Sequence, residues 1–159
     1  MAKDWKVETL RSPKQVFGKI KKLSEPVCIV VLGADCEHKE MVFDVFRRQF
    51  EESVEVVNMN VDMTDEALVE FFGRFFAARQ SLIVKLVGHI SCEVRGRRRF
   101  MENLRKAGVA SLVGVYAKVE QHHHAYNEPG RIAISNQVAF LTAAPPSPED
   151  FDYLITVKD

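Results

Sequence analysis

The sequence predicts an α/β domain with helices on both faces of a central sheet, and three observations carry that reading. Cys28 to Leu32 is a run without a polar residue, as expected of a strand covered on both sides. Strand-like runs and helical repeats alternate along the chain, the order in which layered α/β domains are built. The first apolar run also turns through Gly33-Ala34-Asp35 directly into a phenylalanine-rich helical pattern ending at Phe50. With 159 residues the chain is long enough to bury a core without a disulfide or a structural metal, so residues 1–159 are read as one domain.

Trp5 to Leu10 alternates weakly, and Ser12-Pro13 then offers an N-cap followed by proline at the first helical position. Val16, Phe17, Ile20 and Leu23 repeat at helical spacing, with Lys14, Lys19, Lys21 and Lys22 on the wet side. Pro26 opens the central strand. Asp35 is the expected N-cap of a helix from about Cys36 to Glu51, whose buried stripe is Met41, Val42, Val45, Phe46 and Phe50. Val54 to Val61 reads as the next strand, and Asp62 to Asp65 as turn and cap chemistry before a helix from Glu66 to about Arg79. Phe71, Phe72, Phe75 and Phe76 cover more than a narrow stripe of that helix.

Ser81 to Gly88 is a third strand, and Ile90 to Val94 is expected to return beside it as a hairpin. Arg97 to Lys106 carries a helical repeat on Phe100, Met101 and Leu104, closed by Gly108. Ser111 to Val119 is a good strand, Gln121 to Gly130 a polar loop, and Arg131 to Ala143 one strand or two short ones. Pro145, Pro146 and Pro148 interrupt the pattern before a last helical turn at Pro148 and the apolar Ile155-Thr156-Val157.

Lys plus Arg and Asp plus Glu balance at 22 each, which removes the long-range field of a general nucleic-acid or anionic-membrane binder. No run approaches the roughly 18 apolar residues of a membrane span, and the charged first residues are unlike a signal peptide. Three cysteines without paired spacing do not outline a disulfide framework, so a cytoplasmic or other reducing intracellular compartment is expected.

Val7 to Gly108 in this order, with ADCEHKEM at the head of the second helix, NMNVD (Asn58 to Asp62) after the next strand and SLIVKLVGHISCEVRG as a closing hairpin, resembles the thioredoxin fold. The resemblance implies a three-layer sandwich over residues 7–108, a mixed central sheet with helices on both faces, and residues 109–159 as a β-rich C-terminal extension packed on it. It places Cys36 at the attacking cysteine of the family's Trp-Cys-Gly-Pro-Cys-Lys turn. Lys39 stands where the resolving cysteine would be, Glu37 and His38 replace the glycine and proline, Gln80-Ser81 replaces the cis-proline, and Val30 replaces the buried acid. The alternative architecture is a flavodoxin-like doubly wound parallel sheet. Its marks are parallel pairing of Ser111 to Val119 and no hairpin at Gly88. GADCEH contains a single glycine, weak ground for a phosphate-binding loop.

Chemistry, if any, is expected at Cys36, where helix-terminal amides and Lys39 favour a thiolate while Glu37 and Glu40 oppose it, with His38 as a proton carrier. Cys28 reads as a small core residue. Arg97, Arg98 and Arg99 form the strongest charge run and are the candidate anion site, against the ordinary reading of a solvated face. His122, His123 and His124, beside Glu120, lack a further ligand at metal spacing, and His89 with Cys92 lacks two, so neither metal nor cofactor is expected. The reading that follows is a degenerate, non-catalytic thioredoxin-like protein that works as a binding or structural subunit or adaptor for a protein partner, with neither membrane nor nucleic acid as partner. The alternative is a single-cysteine thiol-disulfide oxidoreductase or glutathione-linked enzyme using Cys36, His38 and Lys39.

Overall fold

The computed structural model describes residues 3–7, 13–50, 52–56, 63–119, 131–134, 137–140 and 144–159. The elements run β1 (Lys3–Val7), α1 (Pro13–Ile20), β2 (Val27–Leu32), α2 (Glu37–Arg47), β3 (Glu52–Val56), α3 (Asp65–Ala77), β4 (Leu82–Leu86), α4 (His89–Cys92), α5 (Val94–Ala107), β5 (Ser111–Lys118), β6 (Arg131–Ile134), β7 (Gln137–Phe140) and β8 (Tyr153–Lys158). A 3₁₀ turn at Pro148–Asp150 precedes β8. Six strands form one sheet in the order β1-β8-β5-β2-β4-β3, and every neighbouring pair is parallel. β6 and β7 pair separately and antiparallel, Arg131 opposite Phe140.

The strands behave as their composition requires. All six residues of β2 are buried, because α1 and α2 cover one face of the sheet and α3 and α5 the other. Cys28, Val30 and Leu32 face Leu68, Phe72, Phe100 and Leu104, while Ile29 and Val31 face Val16, Ile20, Val42 and Phe46. At roughly 1.5–3 kcal/mol for each large apolar side chain taken from water, these two layers outweigh any single polar contact in the molecule.

Among the described residues, neither the mixed sheet implied by the thioredoxin resemblance nor the hairpin expected of Ile90 to Val94 forms. His89–Cys92 is a short helix leading into α5, so β4 and β5 are joined by a helical crossover and both lie parallel to β2. Gly88 has φ +70, which turns the chain out of the sheet rather than back along it. Ser111–Lys118 and Tyr153–Lys158 are strands of the same six-stranded sheet, β8 lying between β1 and β5. Asn58 to Asp62 falls outside the described residues, as do Glu120 and the three histidines after it.

Helix starts follow sequence chemistry in one case and depart from it in another. Thr64 caps α3, its hydroxyl accepting from the Ala67 amide at 3.1 Å. The N-cap of α2 is Cys36, with extended backbone and no side-chain cap bond, because Asp35 is drawn to other partners. Gly108, at φ +103, closes α5 as expected. Among the described residues no helix is long and apolar enough to cross a membrane.

Candidate functional site

In open parallel α/β sheets a ligand crevice opens at the carboxyl ends of the strands, where successive connections leave in opposite directions. Here that point is β2: the chain leaves it towards β4 and β3 and later returns to its other side as β5. The turn from Gly33 to Lys39 sits there. Gly33 has φ +127, and a Cβ on it would stand 2.7 Å from the Ala117 carbonyl oxygen of β5, so only glycine lets the turn lie this close to the neighbouring strand.

Lys39 is the centre of the turn. It is 0% exposed, and its ammonium donates to the Gly33 carbonyl at 3.0 Å, to the Asp35 carboxylate at 2.8 Å and to the Leu86 carbonyl at the end of β4. The second oxygen of Asp35 accepts from the Gly88 amide at 2.7 Å. One ammonium and one carboxylate thus tie the loop after β2 to the loop after β4.

His38 points elsewhere. Its Nε2 lies 2.9 Å from the Val157 carbonyl of β8, which can only accept, so Nε2 carries a proton and donates it there. Nδ1 is buried and has no hydrogen-bond partner among the described residues. Glu40 turns to Lys85 of β4, both carboxylate oxygens at 2.6 Å from the ammonium, and Glu55, level with Lys85 on β3, pairs with it too. Lys85 also lies 4.9 Å over the Phe43 ring. Burial pulls the Lys85 pKa down, but the hydrogen bonds to Glu40 and Glu55 outweigh it and hold the ammonium above the ordinary lysine value.

Cys36, His38 and Lys39 are therefore neighbours in sequence that serve different contacts. Cys36 is partly exposed and free; Cys28 is also free but fully buried, and burial pushes its thiol well above the ordinary range. Arg97, Arg98 and Arg99 are likewise divided. Arg97 is 4% exposed and donates to the Ala144 carbonyl at 2.6 Å, Arg98 pairs with Asp150 at 3.5 Å, and Arg99 with Asp65 at 2.7 Å. Among the described residues no group of three or more His, Cys, Asp and Glu is placed to hold a metal ion. The side chains of His89 and Cys92 lie outside those described.

At this end of the sheet the sequence reading leaves out Lys85, and gives Asp35 only the role of an N-cap. A signal for the turn was present: Lys39 follows Gly33 by six positions after an apolar strand, the spacing of the first glycine and the lysine in the phosphate-cradling loop Gly-x-x-x-x-Gly-Lys-Ser/Thr. Compared with known proteins, the chain matches no family model, no curated protein and no solved structure.

Proposed function

We propose that this chain is a non-catalytic α/β domain that works by binding, as a subunit or adaptor of a protein partner. One observation carries the reading: the buried Lys39 ammonium is engaged by Gly33, Asp35 and Leu86, all from its own chain. A phosphate cradle needs an available lysine, a second glycine that lets the backbone amides approach, and a hydroxyl for the metal ion. The second glycine is replaced by His38, which is fixed on β8, and the hydroxyl residue by Glu40, which is fixed on Lys85. Around the turn the carboxylates Asp35, Glu37, Glu40 and Glu55 outnumber the ammonium groups of Lys39 and Lys85. The roughly half charge of the α2 amino end does not reverse that balance for an anionic ligand.

Within the α/β class we favour the doubly wound parallel architecture. Parallel pairing of Ser111–Lys118 with β2 and the helix at His89–Cys92 support it over the thioredoxin-like one.

The second reading, a single-cysteine thiol enzyme, draws on the partly exposed Cys36 at the N-cap of α2. It ranks lower because Asp35 already faces Lys39, while Glu37 and Glu40 occupy the first turn of the helix. Two titrations on the native protein test the proposal: a fluorescent ATP or GTP analogue with Mg²⁺, and alkylation of each cysteine across pH read by mass spectrometry. The expected result is no saturable nucleotide binding and alkylation of Cys36 no faster than in the urea-unfolded chain at any pH. Saturable nucleotide binding abolished by Lys39→Ala, or alkylation of Cys36 in the native protein many times faster than in the unfolded chain, overturns it.

A further inference from the structure

The geometry points to the groove between α1 and α2 as the docking site for an acidic peptide segment of a partner protein, anchored by one apolar side chain. The inference rests on reading the chain as a binding domain and names the partner's chemistry; the site lies apart from the Lys39 turn. Two adjoining cavities form the groove, an outer one of about 450 Å³ and an inner one of about 270 Å³, and both are lined by Phe17, Lys21 and Gln49. The inner cavity reaches the amino ends of β2 and β4, and Phe17, Ile20, Val27 and Phe50 give it an apolar lining. That is room for one large side chain entering from the groove.

Charge selects the partner. Among the described residues, Lys14, Lys21, Arg48 and Arg79 line the two cavities against a single carboxylate, Glu25. Arg79 donates to the Glu25 backbone carbonyl, while Lys14, Lys21 and Arg48 have no carboxylate partner among the described residues. In a chain of zero net charge this basic groove sits at the amino end of the sheet, opposite the acidic turn at the carboxyl end. An acidic segment gains from the groove and is repelled by the other end, which fixes orientation as well as affinity.

Gly18 supplies an independent observation. It lies inside α1 and lines the outer cavity, and among the described residues a Cβ built on it meets nothing within 4 Å. Glycine disfavours a helix interior, and no neighbour among the described residues requires it there. A peptide backbone lying against α1 does, because it needs the approach that a side chain would block.

The test uses the whole chain and an array of short fluorescein-labelled peptides in which aspartate and glutamate flank each apolar and aromatic residue in turn. Saturable binding by peptides with a large apolar anchor is expected, weakening as salt is raised. Affinity should drop at least about tenfold in Arg48→Glu and in Lys21→Glu and be unchanged in the exposed Lys106→Glu on α5. Gly18→Gln should raise the melting temperature of the free chain while lowering peptide affinity, a pairing that misfolding cannot produce. The inference is overturned if no acidic peptide saturates, if lysine-flanked peptides bind equally well, if polyphosphate binds as tightly as the best peptide, or if Gly18→Gln and Arg48→Glu bind like the unaltered protein. Those outcomes leave the non-catalytic reading intact, whereas nucleotide binding through Lys39 removes that reading without touching the groove.

Discussion

The Lys39 ammonium donates to the Asp35 carboxylate at 2.8 Å from inside the protein, while Asp35 itself stands 48% exposed at the surface of the turn. The asymmetry decides what each residue is worth. Lys39 has no access to water and must be satisfied by protein oxygens; Asp35 can exchange its partner for solvent.

Lys39→Met is accordingly expected to destabilise the fold by about 3 kcal/mol, since it leaves the Gly33 and Leu86 carbonyls without their donor inside the core. Asp35→Asn keeps one acceptor oxygen, for either Lys39 or the Gly88 amide, and turns an NH2 group towards the other donor; because this side chain is half exposed and can turn to water, the loss should be only about 1–2 kcal/mol. Urea unfolding at constant slope measures both. Equal losses would show that the charge of Asp35, not the burial of Lys39, holds the turn.

Gly33→Ala meets two penalties and Gly108→Ala one. Both glycines have positive φ, but the added methyl collides with the Ala117 carbonyl at Gly33 and finds open space at Gly108. The expected losses are about 3 kcal/mol or more at Gly33 and about 1 kcal/mol at Gly108. A thermal melt of the two variants separates steric contact from backbone strain; similar shifts would mean that the β5 carbonyl yields to the methyl.

Much of this architecture is legible in the sequence because it rests on apolar periodicity. The unbroken run of β2, the Val42 and Phe46 face of α2, the Phe72 and Phe76 face of α3 and the cap at Thr64 follow from local pattern, whereas Met41, expected in the buried stripe of α2, is 51% exposed and Phe43 is buried in its stead. The direction of the chain after Gly88 does not, since a short apolar run beside a turn suits a returning strand or a helix equally, and α5 packing on α3 decided for the helix. The site resisted for a related reason. Asp35 has the composition and place of an N-cap, and only its distance to Lys39 and Gly88, residues that folding brings together, reveals its other use.

Asp65 gives a pH test across a helix pair. Hydrogen bonds from Arg99 at 2.7 Å and Asn103 at 2.9 Å, with the Arg99 charge beside them, hold its carboxyl below the usual aspartate value. A carboxyl whose folded pKa lies below its unfolded value near 3.9 contributes fully above that value and loses its contribution as the pH falls through the folded pKa. Asp65→Asn should therefore melt below the unaltered protein at neutral pH, and the gap should narrow as the pH drops below about 4. A gap independent of pH assigns the effect to the neutral hydrogen bonds alone.

Gly114 and Phe151 make the last test, because each defines the space of the other. Gly114 lies in β5, and a Cβ there would stand 2.8 Å from two atoms of the Phe151 ring, which is 3% exposed just before β8. The ring lies over the bare backbone of β5, and Phe151 belongs to the same apolar layer as Leu112 and Leu154. Gly114→Ala should cost about 2 kcal/mol by overpacking, and Phe151→Leu about 1–2 kcal/mol by leaving a void. Combined, they are expected to cost less than the sum by about 1 kcal/mol, since the smaller side chain makes room for the methyl. Strict additivity in a double-mutant cycle of urea unfolding would mean that Phe151 rotates away from β5 instead of being held against it.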